Sequence, residues 1–368
     1  MEIYLLILTY LICLSAIKRY SIKIFEKHFS SSELYVFLSF LMLFFIMGFR
    51  APEIGTDTSV YYNMYINIIN STSLADAINV SKINAPIYVA YAYMLGKIFT
   101  NPQIITICNS LVICIFISRF ILKSSSNVVY STWLYFLLAI FFECFNGARQ
   151  YMAVAIALNS FLYFANDNIS SKRGWTLFFV ALGIHNTTII FLFAIFGIYL
   201  VKKYRKINKI IIYSTLASTI SLVSVYILID LVLYIFPYYA MYVNGSNSAS
   251  ILNSSGSGRI ILLYIFFTLN FLVCYTKKEK IPERLKMYIP SILFLNIFGI
   301  VFANNVLINR LLWFYSAFMI SFIPNSIKLY NKNQRIIIYV CIFLVLFIYC
   351  FMNLYEDKSG IIPYKFYF

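Results

Sequence analysis

The sequence predicts an all-α fold, a polytopic bundle of about 12 membrane helices that includes one short broken hairpin. Three observations carry this. Of the 368 residues, 62% are apolar and only 11% are charged, against roughly a quarter charged in a soluble domain. The apolar residues gather in runs close to the ~20 that cross a hydrocarbon core of ~30 Å. The polar connectors sort into a strongly basic set and a nearly neutral set, as charge is distributed by side in membrane proteins. A disordered chain, a disulfide scaffold and an ordinary soluble enzyme are excluded by the same figures.

In chain order the runs cover 3–17, 34–49, 103–122, 128–144, 150–164, 210–236, 260–276, 287–302, 311–327 and 336–353. The first has little charge at its front and no small-residue cleavage site after it, so it reads as a retained span. Residues 50–101 form the longest connector. Within it, 87–99 is apolar but short, with Pro86 before it and Gly96 inside, which fits a re-entrant or interfacial helix. Residues 175–201 make one apolar run, about 40 Å long as a single helix. A single helix would move Lys202, Lys203, Arg205, Lys206 and Lys209 to the other side. Two short helices meeting near Gly183-Ile184-His185-Asn186 keep that cluster with the other basic loops. Broken helices are tolerated where protein or a water-filled cavity surrounds them, so a hairpin with His185 at its tip is expected. Residues 244–258, rich in Ser, Asn and Gly, read as a flexible loop. The whole chain, 1–368, reads as one membrane domain with outer loops 50–101 and 237–258.

The basic connectors hold Lys18, Arg19, Lys23 and Lys27, then Arg119 and Lys123, Lys172 and Arg173, the cluster 202–209, the residues from Lys277 to Lys286, and Lys328, Lys332 and Arg335. Together they carry 21 of the 29 basic residues and five of the 13 acids, which equals the whole net charge of +16. By the positive-inside rule they face the cytoplasm, and both termini lie outside. The excess charge is a topology signal and requires no nucleic acid.

Most of the seven Cys lie in apolar runs, where the residue behaves as a small hydrophobe. No Cys-x-x-Cys or His-x-x-x-His pair occurs, so no protein-built metal site is expected. No Walker loop, Gly-x-Gly-x-x-Gly or Gly-x-Ser-x-Gly is present, and no cofactor is expected. His28 lies in a basic loop and reads as solvated surface.

The outer arginines are more informative. Arg50 ends the second run, Arg149 and Gln150 open the run 150–164, Arg259 follows Gly256-Ser257-Gly258, and Arg310 follows Asn309. The last three arginines fall at expected helix N-termini, where N–H groups and the dipole favour an anion. A guanidinium binds phosphate bidentately, so several converging on one cavity would clamp a pyrophosphate. Taken singly, each could instead snorkel to the interface or pair with an acid. Asp57, in Gly55-Thr56-Asp57-Thr58-Ser59, is either the cap of the next helix or a carboxylate that orients an arginine or accepts a hydroxyl proton. Glu53 is a weaker candidate of the same kind. His185 suits a general base or a hydrogen-bond donor to a polar substrate. Asp230 lies inside a run between Tyr226 and Tyr234, which can satisfy it, and stays outside the expected site.

These residues resemble a family. Gly48-Phe49-Arg50 with Ile54-Gly55-Thr56-Asp57-Thr58 and Tyr61-Tyr62 resembles the first signature of the EpsG-like exopolysaccharide and O-antigen polymerases, the Wzy type. Phe145-Asn146-Gly147-Ala148-Arg149-Gln150-Tyr151-Met152-Ala153 is similar to their second, and Ala181-Leu182-Gly183-Ile184-His185-Asn186-Thr187-Thr188 to their third. Pro363-Tyr364-Lys365 is similar to the family's end. The departures are Gly147-Ala148, where a bulkier residue is frequent, and Asn186, where Lys is common. The resemblance implies a GT-C-like fold and a metal-independent glycosyltransferase of the bacterial plasma membrane. Such an enzyme joins oligosaccharide repeat units carried on undecaprenyl pyrophosphate, both donor and acceptor being lipid-linked. It works in the bilayer, with a chain-length regulator protein as a further partner. Arg149, Arg259 and Arg310 would stabilise the leaving pyrophosphate, His185 or Asp57 would activate the acceptor hydroxyl, and Arg50 would hold the loop or the second pyrophosphate.

Rival readings are an O-antigen ligase, a flippase for lipid-linked oligosaccharide and a membrane acyltransferase. A flippase should line its spans with charge, and here only Asp230 lies within one. No donor-binding motif on the cytoplasmic side supports the acyltransferase.

Overall fold

The computed structural model describes residues 1–16, 22–24, 27–81, 83–204, 206–235, 281–301, 306–357 and 359–368. The expected span 260–276, the loop 237–258 and Arg259 lie outside the described residues. Among the described residues the regular structure is helical apart from a short antiparallel pairing of Ile22–Ile24 (β1) with Lys27–Phe29 (β2). It divides into two compact units, Met1–Ile189 with Met319–Phe368, and Ile190–Phe318.

The first unit begins with α1 (Glu2–Leu14) and α2 (Ser31–Gly48). Ser30 and Glu33 form a reciprocal capping box that satisfies the free N–H groups opening α2. The connector 50–101 folds into three short helices, α3 (Thr58–Ile69), α4 (Leu74–Ser81) and α5 (Pro86–Gly96). Pro86 opens α5 at its first position, where a missing N–H costs nothing. Next come α6 (Gln103–Ser124), α7 (Val128–Leu137), α8 (Ile140–Asn146), α9 (Ala148–Asn166) and α10 (Lys172–Ile184). Asn127 and Ser171 cap α7 and α10. The unit closes with α16 (Met319–Ile327) and α17 (Lys332–Glu356), the latter capped by Asn331.

Helix α9 is the post of this unit. Nearly all of its side chains are buried, and its alternating Ala153, Ala155 and Ala157 let neighbouring backbones approach closely. Arg119 of α6 reaches it through Asn159 Oδ1 (2.7 Å) and the Tyr163 hydroxyl (2.8 Å). On the side of α10, Ser160 donates to the Gly174 carbonyl at 2.9 Å, and Phe164 packs edge-on against Trp175. By contrast α17 exposes a stripe of Ile336, Ile337, Val340, Leu344 and Ile348, the face of a helix that meets lipid.

The second unit holds a 3₁₀ turn (Asn186–Phe191) that it enters at Ile190, then α11 (Leu192–Tyr204), α12 (Ile207–Ile235), α13 (Glu283–Lys286), α14 (Ile289–Val301) and α15 (Val306–Ser316). Gly197 lets α11 lie against Pro290 of α14, where a Cβ would stand 2.7 Å from the ring.

Among the described residues six helical stretches are long and apolar enough to cross a membrane, or seven if the bent pair α7–α8 is one span. The expected count of about 12 is not reached among these residues: the span 260–276 lies outside them, α1 and α10 have only 13 residues each, and the run 311–327 is split into α15 and α16 around Ala317 and Phe318. The run 128–144, expected as one span, bends by 51° at Ala139, which takes a left-handed φ of 62°. The break within 175–201 falls at His185, as expected. The termini share one end of the first unit, for the Tyr4 hydroxyl donates to the Ile361 carbonyl at 3.0 Å.

Candidate functional site

The three sequence segments meet at one end of the first unit. Arg50 follows the last turn of α2 and is 1% exposed. Its guanidinium spends itself on the protein: Nη1 donates to the Met47 carbonyl (2.5 Å), Nη2 to the Phe145 carbonyl (2.9 Å), and Nε to the Ile54 carbonyl and Thr58 Oγ1 (both 3.2 Å). The Phe145 ring lies 4.8 Å from its Cζ. Burial pushes its pKa down to about 10, which leaves it charged at neutral pH. Of the two roles expected for Arg50, holding the loop is the one this geometry performs: it ties the turn 50–58 to the corner between α8 and α9.

The C-terminal tail stitches the same loop from the other side. Ala51 N donates to the Lys365 carbonyl (3.0 Å) and Tyr367 N to the Phe49 carbonyl (2.9 Å). Asn146 Nδ2 donates to the Ser359 carbonyl at 3.1 Å, and Gly55 N to the Gly360 carbonyl at 2.8 Å. Gly55 has φ +90°, and a Cβ there would stand 2.9 Å from Asn146 Oδ1 and 3.2 Å from the Phe145 carbonyl. Left-handed strain of ~1–2 kcal/mol adds to an overpacking cost of ~1–3 kcal/mol. Gly55→Ala is therefore expected to lower the thermal unfolding midpoint of the detergent-solubilised protein by several degrees.

Asp57 opens α3 but does not cap it, since no helix N–H donates to its side chain. Its Oδ1 accepts from the Thr56 hydroxyl at 3.1 Å. The capping alternative is thus not realised. One turn on, Tyr61 N donates to the Asp57 carbonyl (3.2 Å), and the Tyr61 hydroxyl accepts from Arg149 N at 3.4 Å.

Arg149 is the second residue of α9, at the positive end of a largely buried helix. Its Cζ lies 5.8 Å from the ring of Tyr88, a cation–π placement. Tyr88 is fully buried and its hydroxyl accepts from Asn109 Nδ2 at 2.9 Å. Arg149 Nε is buried and makes no hydrogen bond. A buried N–H of a cation without an acceptor is costly unless a ligand or water supplies one. Gln150 is buried in the same first turn.

His185 ends α10. Ser160 of α9 contacts Gly174 of α10. Eleven residues lead back from Ser160 to Arg149, and eleven lead forward from Gly174 to His185, about 16 Å each way along antiparallel helices. Arg149 and His185 are therefore level. Gly183 rests on Ile87, next to the Tyr88 that underlies Arg149. His185 Nδ1 is 2.6 Å from the Thr187 hydroxyl and accepts from Thr187 N at 3.4 Å. That contact favours the neutral-ring tautomer with its proton on Nε2.

Asp57, Arg149, Gln150 and His185 are thus gathered at one end of the first unit, framed by the Arg50 loop. Arg310 belongs to the second unit. It is the fifth residue of α15 rather than its start, because Val306–Asn309 extend the helix upstream, and it lies 5.8 Å from the Trp313 ring. Asp230 falls inside the continuous helix α12. Tyr88, Asn109 and Thr58 were not legible as site residues, being ordinary residues in amphipathic or apolar helices. Glu143 was not singled out either; the signal that could have found it is a carboxylate at the end of the apolar run 128–144. Among the described residues no three His, Cys, Asp or Glu lie close enough to hold a metal ion.

A model of the EpsG family matches residues 33–366. No curated protein and no solved structure matches the chain.

Proposed function

The chain belongs to the EpsG family, and on that premise we propose that it is a membrane glycosyltransferase that polymerises oligosaccharide repeat units carried on undecaprenyl pyrophosphate, at the outer face of the bacterial plasma membrane. The acceptor sugar hydroxyl attacks C1 of the donor sugar. The C1–oxygen bond to phosphate breaks, and the pyrophosphate leaves on its lipid. Negative charge develops on that leaving group, so a fixed cation is the principal requirement.

Arg149 is the cation this reading rests on, and its buried Nε without a protein acceptor is the observation that supports it. The first turn of α9 adds the positive end of the helix dipole, and Gln150 sits in that turn. Asp57 takes the proton of the acceptor hydroxyl, since its carboxylate is not consumed by capping. His185 acts as a donor from Nε2 to a sugar or phosphate oxygen. Arg50 holds the loop that carries Asp57. The cation and carboxylate described here need no metal ion, so EDTA should leave the rate unchanged. A ligase would use the same leaving group with a different acceptor.

Asp57→Asn is expected to cut polymer output at least tenfold with no change in the unfolding midpoint. A capping Asp would do the reverse, losing about 1 kcal/mol of stability and little activity. The reading as a whole is tested by deleting the gene and examining surface polysaccharide. A polymerase loss leaves single repeat units on the final acceptor. Long chains stranded on the carrier lipid would indicate a ligase, and absence of any outer unit a flippase.

A further inference from the structure

A cavity of about 170 Å³ lies in the first unit between α8, α17 and the C-terminal tail. At ~30 Å³ per water it holds the volume of five or six waters, which suits one six-membered sugar ring and not an oligosaccharide. Its polar lining is Glu143, Asn353 and Ser359, and its apolar lining includes Phe142 and Tyr349. Polar atoms make up the larger part of the exposed lining, which suits a ligand covered with hydroxyl groups.

The charged group among them is an acceptor. Glu143 Oε2 accepts from the buried hydroxyl of Tyr151, which fixes the carboxylate on α8. Asn353 Nδ2 gives one N–H to the Tyr349 carbonyl at 3.0 Å, which leaves its oxygen and its second N–H for a ligand. A carboxylate and an amide oxygen together favour a ligand rich in O–H or N–H donors and disfavour an anion.

The position of the cavity ties it to the site above. Its wall runs through Ser359 and Ile361, and Gly360 between them accepts from Gly55 of the Asp57 loop. A Cβ on Gly360 would touch Thr56 Cγ2 at 3.3 Å. One strand of tail therefore separates the cavity from the Asp57 loop. On the other side α8 passes through Asn146 and Gly147 directly into Arg149. Ala139, which lines the cavity, is the non-glycine residue held at φ 62°. Strain of this kind persists where surrounding structure demands it, often at binding sites.

We infer that this cavity is a subsite for one neutral or amino sugar ring of the lipid-linked repeat unit, with Glu143 and Asn353 accepting hydrogen bonds from its hydroxyl or amino groups. The inference rests on the polymerase reading and adds a selectivity to it, since an acidic sugar would be refused at this position.

The test compares binding of two probes to full-length protein in lipid nanodiscs: the undecaprenyl pyrophosphate-linked repeat unit and undecaprenyl pyrophosphate alone. Wild type should bind the repeat unit at least tenfold more tightly than the bare carrier. Asn353→Phe, which fills the cavity, and Glu143→Gln, which keeps its shape but removes the charge, should each erase most of that preference. Both should leave carrier binding unchanged and raise KM more than they lower kcat. If both variants keep the wild-type preference, the subsite is overturned while the polymerase reading stands. If wild type binds neither probe, the polymerase reading falls and the subsite with it.

Discussion

Arg149→Ala is expected to reduce polymer formation by two to three orders of magnitude while leaving the protein folded. Removing one preorganised group that stabilises developing charge typically costs ~3–4 kcal/mol of barrier, about 10²–10³ in rate. The side chain is partly exposed, its Nε has no protein acceptor, and its one described side-chain contact is the face of Tyr88. Truncation therefore breaks little that supports the fold, and the unfolding midpoint should hold within a degree or two. Arg149→Lys should retain part of the activity. It keeps the charge and loses the forked geometry that fits a phosphate. Initial rates of chain growth from purified lipid-linked repeat unit, measured beside thermal unfolding, separate the two effects. Full-length polymer from Arg149→Ala at normal expression would end the pyrophosphate-clamp account.

Arg50→Ala is expected to do the opposite and act first on the fold. Truncation strips the Met47 and Phe145 carbonyls of a charged donor, and each buried acceptor left unmatched costs about 1–3 kcal/mol. The Ile54 carbonyl keeps its bond from the Thr58 hydroxyl at 2.6 Å, so part of the turn survives. A cavity replaces a fully buried side chain beside Phe145. Relief from burying a charge offsets some of this. A net loss of about 3–5 kcal/mol is a large share of the ~5–15 kcal/mol that holds a domain folded. Low yield and a sharply lowered midpoint are the expected readouts. Arg50→Lys should not rescue the fold, since one ammonium cannot point along the three directions that the guanidinium serves. If Arg50→Lys unfolds like wild type but binds lipid pyrophosphate poorly, Arg50 is a substrate group and not the tie of the loop.

Much of the frame was legible from periodicity and charge. The runs that became α2, α6 and α17 are long, apolar and bounded by polar connectors, so their position follows from the thickness of a bilayer. The break at His185 was legible because a straight helix would have put the cluster Lys202–Lys209 on the wrong side. The helix after Pro86 was legible because Pro opens helices and Gly96 limits this one. The bend at Ala139 was not, because Leu138-Ala139-Ile140 carries neither Gly nor Pro, and its left-handed conformation is imposed by packing.

The site was legible as a set of residue types and not as a geometry. An arginine at the end of a span looks the same in sequence whether it snorkels, binds phosphate or is buried. Only the approach of Phe145, 95 residues away, shows that Arg50 is a tie. The tail pairing of Ala51 with Lys365 is likewise invisible to any local rule. Arg310 was misplaced by one helical turn because Val306-Leu307-Ile308-Asn309 carries no sharp start signal. Asp57 was left open between a cap and a carboxylate with another task, since both use the same residue at the same position.

The most direct measurement reconstitutes the purified chain alone in lipid vesicles, supplies undecaprenyl pyrophosphate-linked repeat unit on the face that carries Asp57, Arg149 and His185, and resolves the products by length. The account predicts a ladder of polymers, one undecaprenyl pyrophosphate released for each bond formed, the same rate in EDTA, and no ladder from Arg149→Ala. Repeat units that remain single in the wild-type vesicles, or that cross the bilayer without being joined, would contradict it.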